Sequence, residues 1–549
     1  MEAFYLFPNT CVPSSVFYVM RRKKVTLYDT TLRDGVQGQG ISFSLLDKLR
    51  ITERLARFGI DIIEGGWPGS NVKDMGFFRE AQGRSWWRAK IAAFGSTRRA
   101  NTDISQDLQI QTLRDANTPV VTFFGKSWKL HVTEVLGTTP SENRSMISDT
   151  VAYFKHLHRE VIYDAEHFFD GYKDDPEHAL GTLEAAHEAD MLVLCDTNGG
   201  TLPHEIEGVV RAVNRLFPGR VGIHTHNDCE LAVANSIAAV RAGAVHVQGT
   251  INGYGERTGN CNLTSLIANL QLKLKLPMVD NLSELRDISL FVDELANCPT
   301  NIRAPFIGAT AFAHKGGMHV NAVQKLARSY EHIKPSSVGN EQNVLVSELS
   351  GRSNVLLKAK RIGLTLHMES QAIKEVLLRI KSAEADGYEF EAADASFELL
   401  VRDVLGQRYP LFELKEYHCS FHCAQTQLRL ACKATIKLSV GNSATLEHTV
   451  GEGVGPVEVL DKALRKALRP FYGWVDRIQL TDYKVRILDS SRGSAARTRV
   501  LIVSTDGHHS WGTVGVSDNI IEASWLALVD SLEFYSLKLS NGWPETTSG

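Results

Sequence analysis

A chain of 549 residues, 43% hydrophobic and 22% charged, is too long for one hydrophobic core and ordinary in composition, so two or three globular domains are expected. The formal net charge of -3 offers no basic field for a phosphate backbone, which removes nucleic acid from the expected partners. Eight cysteines at irregular spacings suit a reduced, cytoplasmic protein, and no apolar run is long enough to span a bilayer.

Residues 1–23 read as a disordered extension: Pro8 and Pro13 interrupt the apolar part, and the basic cluster follows it instead of preceding it. From residue 24, short β-branched runs alternate with amphipathic helical stretches for about 250 residues, the size of a (β/α)8 TIM barrel. The strand candidates are "KVTLYDTT", "IDIIEGGW", "KIAAFGS", "PVVTFFG", "VIYDAEH", "MLVLCDT", "VGIHTHN" and "VHVQGTI". Between the first two, Leu46, Leu49, Leu55 and Phe58 form one helical stripe that is expected to be core.

The strand candidates end in polar residues: Arg33 and Asp34, Glu64, Ser96, Lys126, Glu166, Asp196 and Thr197, His224 and His226, and Asn252. In a TIM barrel those ends form the active-site face. An open doubly wound sheet would instead want a G-x-G-x-x-G after the first strand, and there is none. The catalytic barrel is therefore expected over 24–278, a helical linker over 279–391, and a C-terminal α+β regulatory domain over 392–549. In that last domain Thr449, Val450 and Gly451 are repeated by Thr513, Val514 and Gly515, the mark of an internal strand-strand-helix duplication that packs on itself or across a dimer. "YHCSFHC" (417–423) tempts a zinc reading, but alternation sends its cysteines and histidines to opposite faces.

His224 and His226 in "HTHND" point the same way along one strand. Asp34 ends strand one, a near neighbour of strand seven once the barrel closes, and Asn260 follows a glycine-rich turn that can bring its amide oxygen close. Two imidazoles, a carboxylate and an amide oxygen leave open positions on a six-coordinate divalent ion; Mg²⁺ or Mn²⁺ suits the oxygens, Zn²⁺ or Co²⁺ the imidazoles. Arg33 beside Asp34 then places a permanent cation where an oxygen would gain negative charge during attack on a carbonyl, and the two need not pair with each other.

"DTTLRDGVQ", "HTHND", "NGYGERTGN" and "GGMHVNAVQKLARSYEHI", in this order, resemble the isopropylmalate, homocitrate and citramalate synthases, a family of metal-dependent Claisen-condensing TIM barrels. "YDAEHFFDGYK" and the closing "WGTVGVSDNIIEASWLALVDSLEF" are similar to its longer citramalate branch. The resemblance implies metal ligands Asp34, His224, His226 and Asn260, with Arg33 polarising the keto oxygen and Glu166 as acid or base. It also implies Thr197 on the 2-oxo acid carboxylate, and His319 and Tyr330 reaching a neighbouring subunit's barrel. Further implications are acetyl-CoA and pyruvate as substrates, isoleucine as feedback inhibitor and a homodimer.

Gln37 stands after Val36 where many isopropylmalate synthases have "EQ", which argues against the leucine-pathway alternative. Phe94 and Phe124 are candidates to wall the substrate pocket, with Trp128 a further one, against the plainer reading that they are barrel core. The related carbon-carbon lyases carry a cysteine in the loop before the ligand Asn; "GYGERTG" has none. A Schiff-base aldolase wants a lysine on strand six, also missing. A non-catalytic amino-acid sensor would show decay at the metal or Arg positions, and all are intact.

Overall fold

The computed structural model describes residues 25–70, 72–315, 317–344, 352–364, 371–423, 430–441, 446–488, 496–540 and 542; the expected N-terminal extension lies outside them. Backbone packing divides the chain into one unit running up to Phe312 together with Ile333–Glu341, and another comprising Ala313–His332 and the chain from Gln342.

The first unit is a closed barrel of eight parallel strands in sequence order. They are β1 (Thr26–Asp29), β2 (Ile62–Gly66), β3 (Lys90–Ser96), β4 (Val120–Lys126), β5 (Glu160–Glu166), β6 (Met191–Asp196), β7 (Val221–Thr225) and β8 (His246–Gly249). Closure is made by β1 against β8, with Thr26 through Asp29 in register with His246 through Gly249. Alternation along the strands decides what the barrel encloses. The lower inward positions, Tyr28, Ile62, Ala92, Val120, Ile162 and Val193, pack as a small apolar plug. Two residues further along, the same parity brings in Glu64, Phe94, Thr122, Asp164 and Cys195, so the polar groups stand above the plug. A register irregularity in β2 between Glu64 and Gly66 lies beside the first of these, a common device for re-aiming a side chain near a site.

Outside the strands, the larger core forms between barrel and helices. Helix α1 (Leu45–Phe58) begins with a reciprocal capping box between Ser44 and Asp47 and ends at Gly59, whose φ of 110° favours glycine. Its buried face runs through Leu49, Thr52, Leu55 and Ala56. Leu46 departs from expectation, at 64% exposure. It precedes Thr52, the centre of that face, by six residues, and at about 100° each this leaves it about 120° away.

In the second unit, β9 (Ala313–His314) pairs with β10 (Asn343–Val344), and helices Arg352–Arg361, Gln371–Ala385 and Asp394–Val404 follow. Two antiparallel three-stranded sheets complete it, β11 (Glu413–Cys423), β12 (Leu430–Ser439) and β13 (Leu446–Gly453), then β14 (Gln479–Ile487), β15 (Thr498–Thr505) and β16 (Ser510–Ser517). Each is followed by a helix, Pro456–Leu468 and Ile520–Ser540. The duplication is therefore strand-strand-strand-helix, one strand longer than the sequence suggested, because the first strand of each copy lacks the shared Thr-Val-Gly signature. That signature does the same work twice. Thr449 Oγ1 donates to Ala463 O at 2.7 Å and Thr513 Oγ1 to Ala527 O at 2.8 Å. A Cβ on Gly451 or Gly515 would meet the helix carbonyl of Val459 at 2.2 Å or of Ala523 at 2.0 Å. "YHCSFHC" is plain strand in β11, with Tyr417 and Cys419 half-buried and His418 exposed.

His246 gives the barrel a pH signature. It is 1% exposed, its Nε2 has no partner, and burial, aided by neighbouring His224, pushes its pKa down to about 3. The unfolded chain takes up that proton near the ordinary value of 6.5. Stability is thus fully present above that value and falls on acidification toward 3, by up to about 1.4 kcal/mol per pH unit. His246→Phe is expected to flatten the pH slope of the urea-unfolding free energy over this window by up to one proton; an unchanged slope would contradict it.

Candidate active site

The mouth of the barrel is built first by the turn after β1. Amides of Arg33, Asp34 and Gly35 all donate to Thr30 O, at 3.2, 2.9 and 3.1 Å. Thr31 ties this turn down by donating Oγ1–H to Asp29 Oδ2 (2.8 Å) and accepting from the Ile251 amide (2.9 Å). The turn throws Arg33 and Asp34 side by side into the barrel. Arg33 then binds chiefly to Glu64, Nε to Oε1 at 2.5 Å, with Asp34 Oδ2 further off at 3.4 Å from Nη1. The adjacent pair also touches, although Glu64 is the nearer partner. Glu64 also accepts from Thr30 Oγ1 (2.6 Å) and from the Tyr28 hydroxyl. Burial works against the guanidinium, yet Asp34 and Glu64 together outweigh it and hold Arg33 firmly charged.

Across the mouth, His224 Nε2 lies 3.2 Å from His226 Nε2 and 3.6 Å from Asp34 Oδ2. Among the described residues these three form the group of acidic, imidazole or thiol side chains whose ligand atoms converge, all within 4.8 Å. Burial lowers both histidines, His226 to about 3, so they are neutral ligands at ordinary pH. For Asp34, burial alone would raise the carboxyl; the Arg33 guanidinium beside it reverses this and keeps it ionised.

Asn260 reaches the group through the glycine loop. Its residue bridges to His226, and its Nδ2 donates to Tyr254 O at 3.1 Å. Oδ1 is buried with no hydrogen-bond partner. The loop needs its glycines: a Cβ on Gly259, at φ 94°, would lie 1.9 Å from Gly253 O, and one on Gly255 would lie 2.1 Å from Asn260 Nδ2. Two neutral imidazoles, an ionised carboxylate and an orphaned amide oxygen fit a divalent ion.

The cavity beside them holds about 200 Å³, and Asn260 is not among its walls. Arg33, Asp34, His224, His226, Glu166, Thr197, Phe94 and Phe124 all line it. Glu166 pairs with Lys126 on the adjoining strand. Thr197 Oγ1 accepts the His167 amide at 2.9 Å, which leaves its own proton free to donate. Phe94 lies under the Arg33 guanidinium, 3.7 Å from ring centre to Cζ, and stacks on Phe124 at 5.8 Å. Trp128, by contrast, is not in this wall; it stacks on His131 and bonds Asp174. Asn252 also turns away, to Ser289 O and Asp293. His319 and Tyr330 belong to the second unit, where their rings lie 4.4 Å apart and both are exposed.

Sequence reasoning gave no role to Trp67, Asp164, Cys195, Glu256 or Arg257, which also line the cavity. Trp67 sets its edge against Phe94 and Phe124. Asp164 carried a readable signal, an acid inside the apolar run "VIYDAEH". Burial, then Glu64, pushes its carboxyl well above the ordinary range.

The barrel and its site together define the class. The HMGL-like family model matches residues 24–292, the homocitrate synthase post-HMGL domain-like model 306–387, and the LeuA allosteric (dimerisation) domain 391–536. The chain is 52% identical to an (R)-citramalate synthase of Aquifex aeolicus, covering 94% of this chain and 98% of that one. It is 50% identical to an (R)-citramalate synthase of Synechocystis sp., over 94% and 97% of the two chains. A 2-isopropylmalate synthase of Pseudoalteromonas atlantica is 29% identical, over 93% and 95%. The chain belongs to the (R)-citramalate synthase family.

Gly255→Ala tests the loop. The added methyl should displace Asn260, weakening Mn²⁺ binding by about tenfold or more in isothermal titration while far-UV circular dichroism stays unchanged. Unaltered affinity would show that Asn260 is not needed.

Proposed function

We propose that this chain condenses acetyl-CoA with pyruvate and water to give (R)-citramalate and CoA. The observation that carries this reading is the convergence, in one small aromatic-walled cavity, of a buried cation, a three-ligand cluster and a paired carboxylate. The full-length identity to (R)-citramalate synthases supports the choice of reaction.

A divalent ion (Mg²⁺, Mn²⁺ or Zn²⁺) bound by Asp34, His224, His226 and Asn260 would supply Lewis-acid charge at a 2-oxo acid. Arg33 donates to the keto oxygen as it gains negative charge, and Glu64 keeps that cation aimed. The free hydroxyl proton of Thr197 meets the pyruvate carboxylate. Glu166, steadied by Lys126, takes a proton from the acetyl methyl. The methyl carbanion then forms a bond to the keto carbon, the keto π pair takes the proton that Glu166 removed and becomes the hydroxyl, and water gives its hydroxyl to the acyl carbon and its proton to the departing CoA thiolate. His319 and Tyr330 from a second copy complete the site in a homodimer. The C-terminal domain takes isoleucine as feedback inhibitor of a cytoplasmic enzyme in branched-chain amino-acid biosynthesis.

Arg33→Ala should lower kcat by about 10² to 10³, the usual cost of one donor to a developing oxyanion, with metal content kept. Near-normal turnover would remove Arg33 from this role. Phe94 and Phe124 leave room for a methyl but oppose an isopropyl group. Pyruvate should therefore exceed 2-oxoisovalerate in kcat/KM by more than the roughly 10- to 200-fold that a missing methylene gives. Phe124→Ala should admit 2-oxobutyrate. A preference for 2-oxoisovalerate would sink the citramalate reading and leave the family. Full-length enzyme assayed by CoA release should slow on adding isoleucine; indifference to it would defeat the regulatory reading.

A further inference from the structure

His224 is held from behind by Gln248, which in turn binds Asp164, an acid of the cavity wall. Its Nδ1 lies 2.9 Å from Gln248 Oε1 on β8. The other end of that amide, Nε2, donates to Asp164 Oδ1 on β5 at 3.0 Å. Gln248 is 1% exposed and Asp164 4%, so no bulk water competes for either contact. An amide has one accepting and one donating end. An acceptor toward His224 Nδ1 requires a proton on that nitrogen and leaves Nε2 with its lone pair, facing Asp34 and His226. If the amide turned over, its NH₂ would face Nδ1, the proton would move to Nε2, and that nitrogen could no longer take a cation.

We propose that Asp164 and Gln248 are positioning residues that set the tautomer of His224, Asp164 acting through the orientation of the Gln248 amide. The relay spans the barrel interior from β5 to β8, so residues 84 positions apart in sequence prepare one nitrogen. It explains a glutamine and an acid at inward positions where a barrel ordinarily places apolar groups. It also accounts for the acid that the reaction proposed above leaves without a task. The inference rests on the metal reading of that proposal, and the ion itself serves as the probe.

Mn²⁺ affinity of the full-length protein is measured by isothermal titration for the wild type, Gln248→Leu, Gln248→Glu and Asp164→Leu. Loss of the acceptor in Gln248→Leu should weaken binding about 10- to 100-fold, as for other groups that orient metal-bound histidines. Asp164→Leu, which only frees the amide to turn, should weaken it less, by severalfold. Gln248→Glu keeps an acceptor for the Nδ1–H of His224, so it should bind about as tightly as the wild type. A purely structural role predicts the opposite order, since Gln248→Glu buries a carboxylate beside Asp164 and would be the worst. That order, or wild-type affinity in Gln248→Leu, overturns the relay. No Mn²⁺ binding by the wild type would instead overturn the metal reading on which it rests. Because a barrel-interior variant can fail to fold, ¹⁵N-histidine spectra of the metal-free wild type provide a second decision: His224 should show the Nδ1–H form, and an Nε2–H form overturns the proposal.

Discussion

Arg33 is a cation kept almost wholly out of water, with a side chain 11% exposed, and Glu64 makes that arrangement stable. Stripping one partner from a buried ion pair typically costs about 3 to 5 kcal/mol, so the two residues stand or fall together. The important consequence is what the pair leaves undone. Asp34 is adjacent to Arg33 in sequence and would be its natural partner. Because Glu64 takes the guanidinium at 2.5 Å, Asp34 sits at 3.4 Å with a carboxylate still available to His224 and the cluster beyond. One turn can thus present a cation and an anionic ligand together without the two cancelling.

The surroundings reinforce that separation. Tyr28, fully buried, donates to Glu64 from the apolar plug and also contacts Thr122, so the acid is anchored from below through β1, with β4 behind it. Phe94 lies under the guanidinium and stiffens it with its ring face. The same ring, stacked on Phe124 and edged by Trp67, limits the cavity. The aromatic cluster therefore serves charge placement and size selection with one set of atoms. Low local polarity acts the same way on the histidines, keeping them neutral and able to ligate.

Much of this was legible in the sequence because a barrel converts chain order into geometry. Eight β-branched runs at regular spacing announced the closed sheet, and period two was enough to put His224 and His226 on one point. The features that were misread depend on contacts between distant residues. Leu46 looked like core because hydrophobicity alone does not give the phase of a buried face. Asn252 and Trp128 sat at the right height, but local turns sent them to Asp293 and to His131. Glu64 was visible as a polar strand end without any sign that Arg33 would be its partner. Asp164 and Gln248 meet only across the closed interior, a juxtaposition that no local pattern encodes. The repeated Thr-Val-Gly revealed the duplication though not its first strand, because the signature marks only the strand that binds a helix 14 residues onward.

If Glu64 is what frees Asp34, removing its charge should let Arg33 swing onto Asp34 and compete with an ion there. The direct measurement is the Mn²⁺ dissociation constant of Glu64→Gln compared with that of Glu64→Gln combined with Arg33→Met. The account predicts that the single variant binds at least about tenfold more weakly than the wild type and that the double variant recovers most of the loss, because the competing cation is gone; neighbouring charges of this kind carry at least that much energy. A double variant that binds no better than the single one would contradict it.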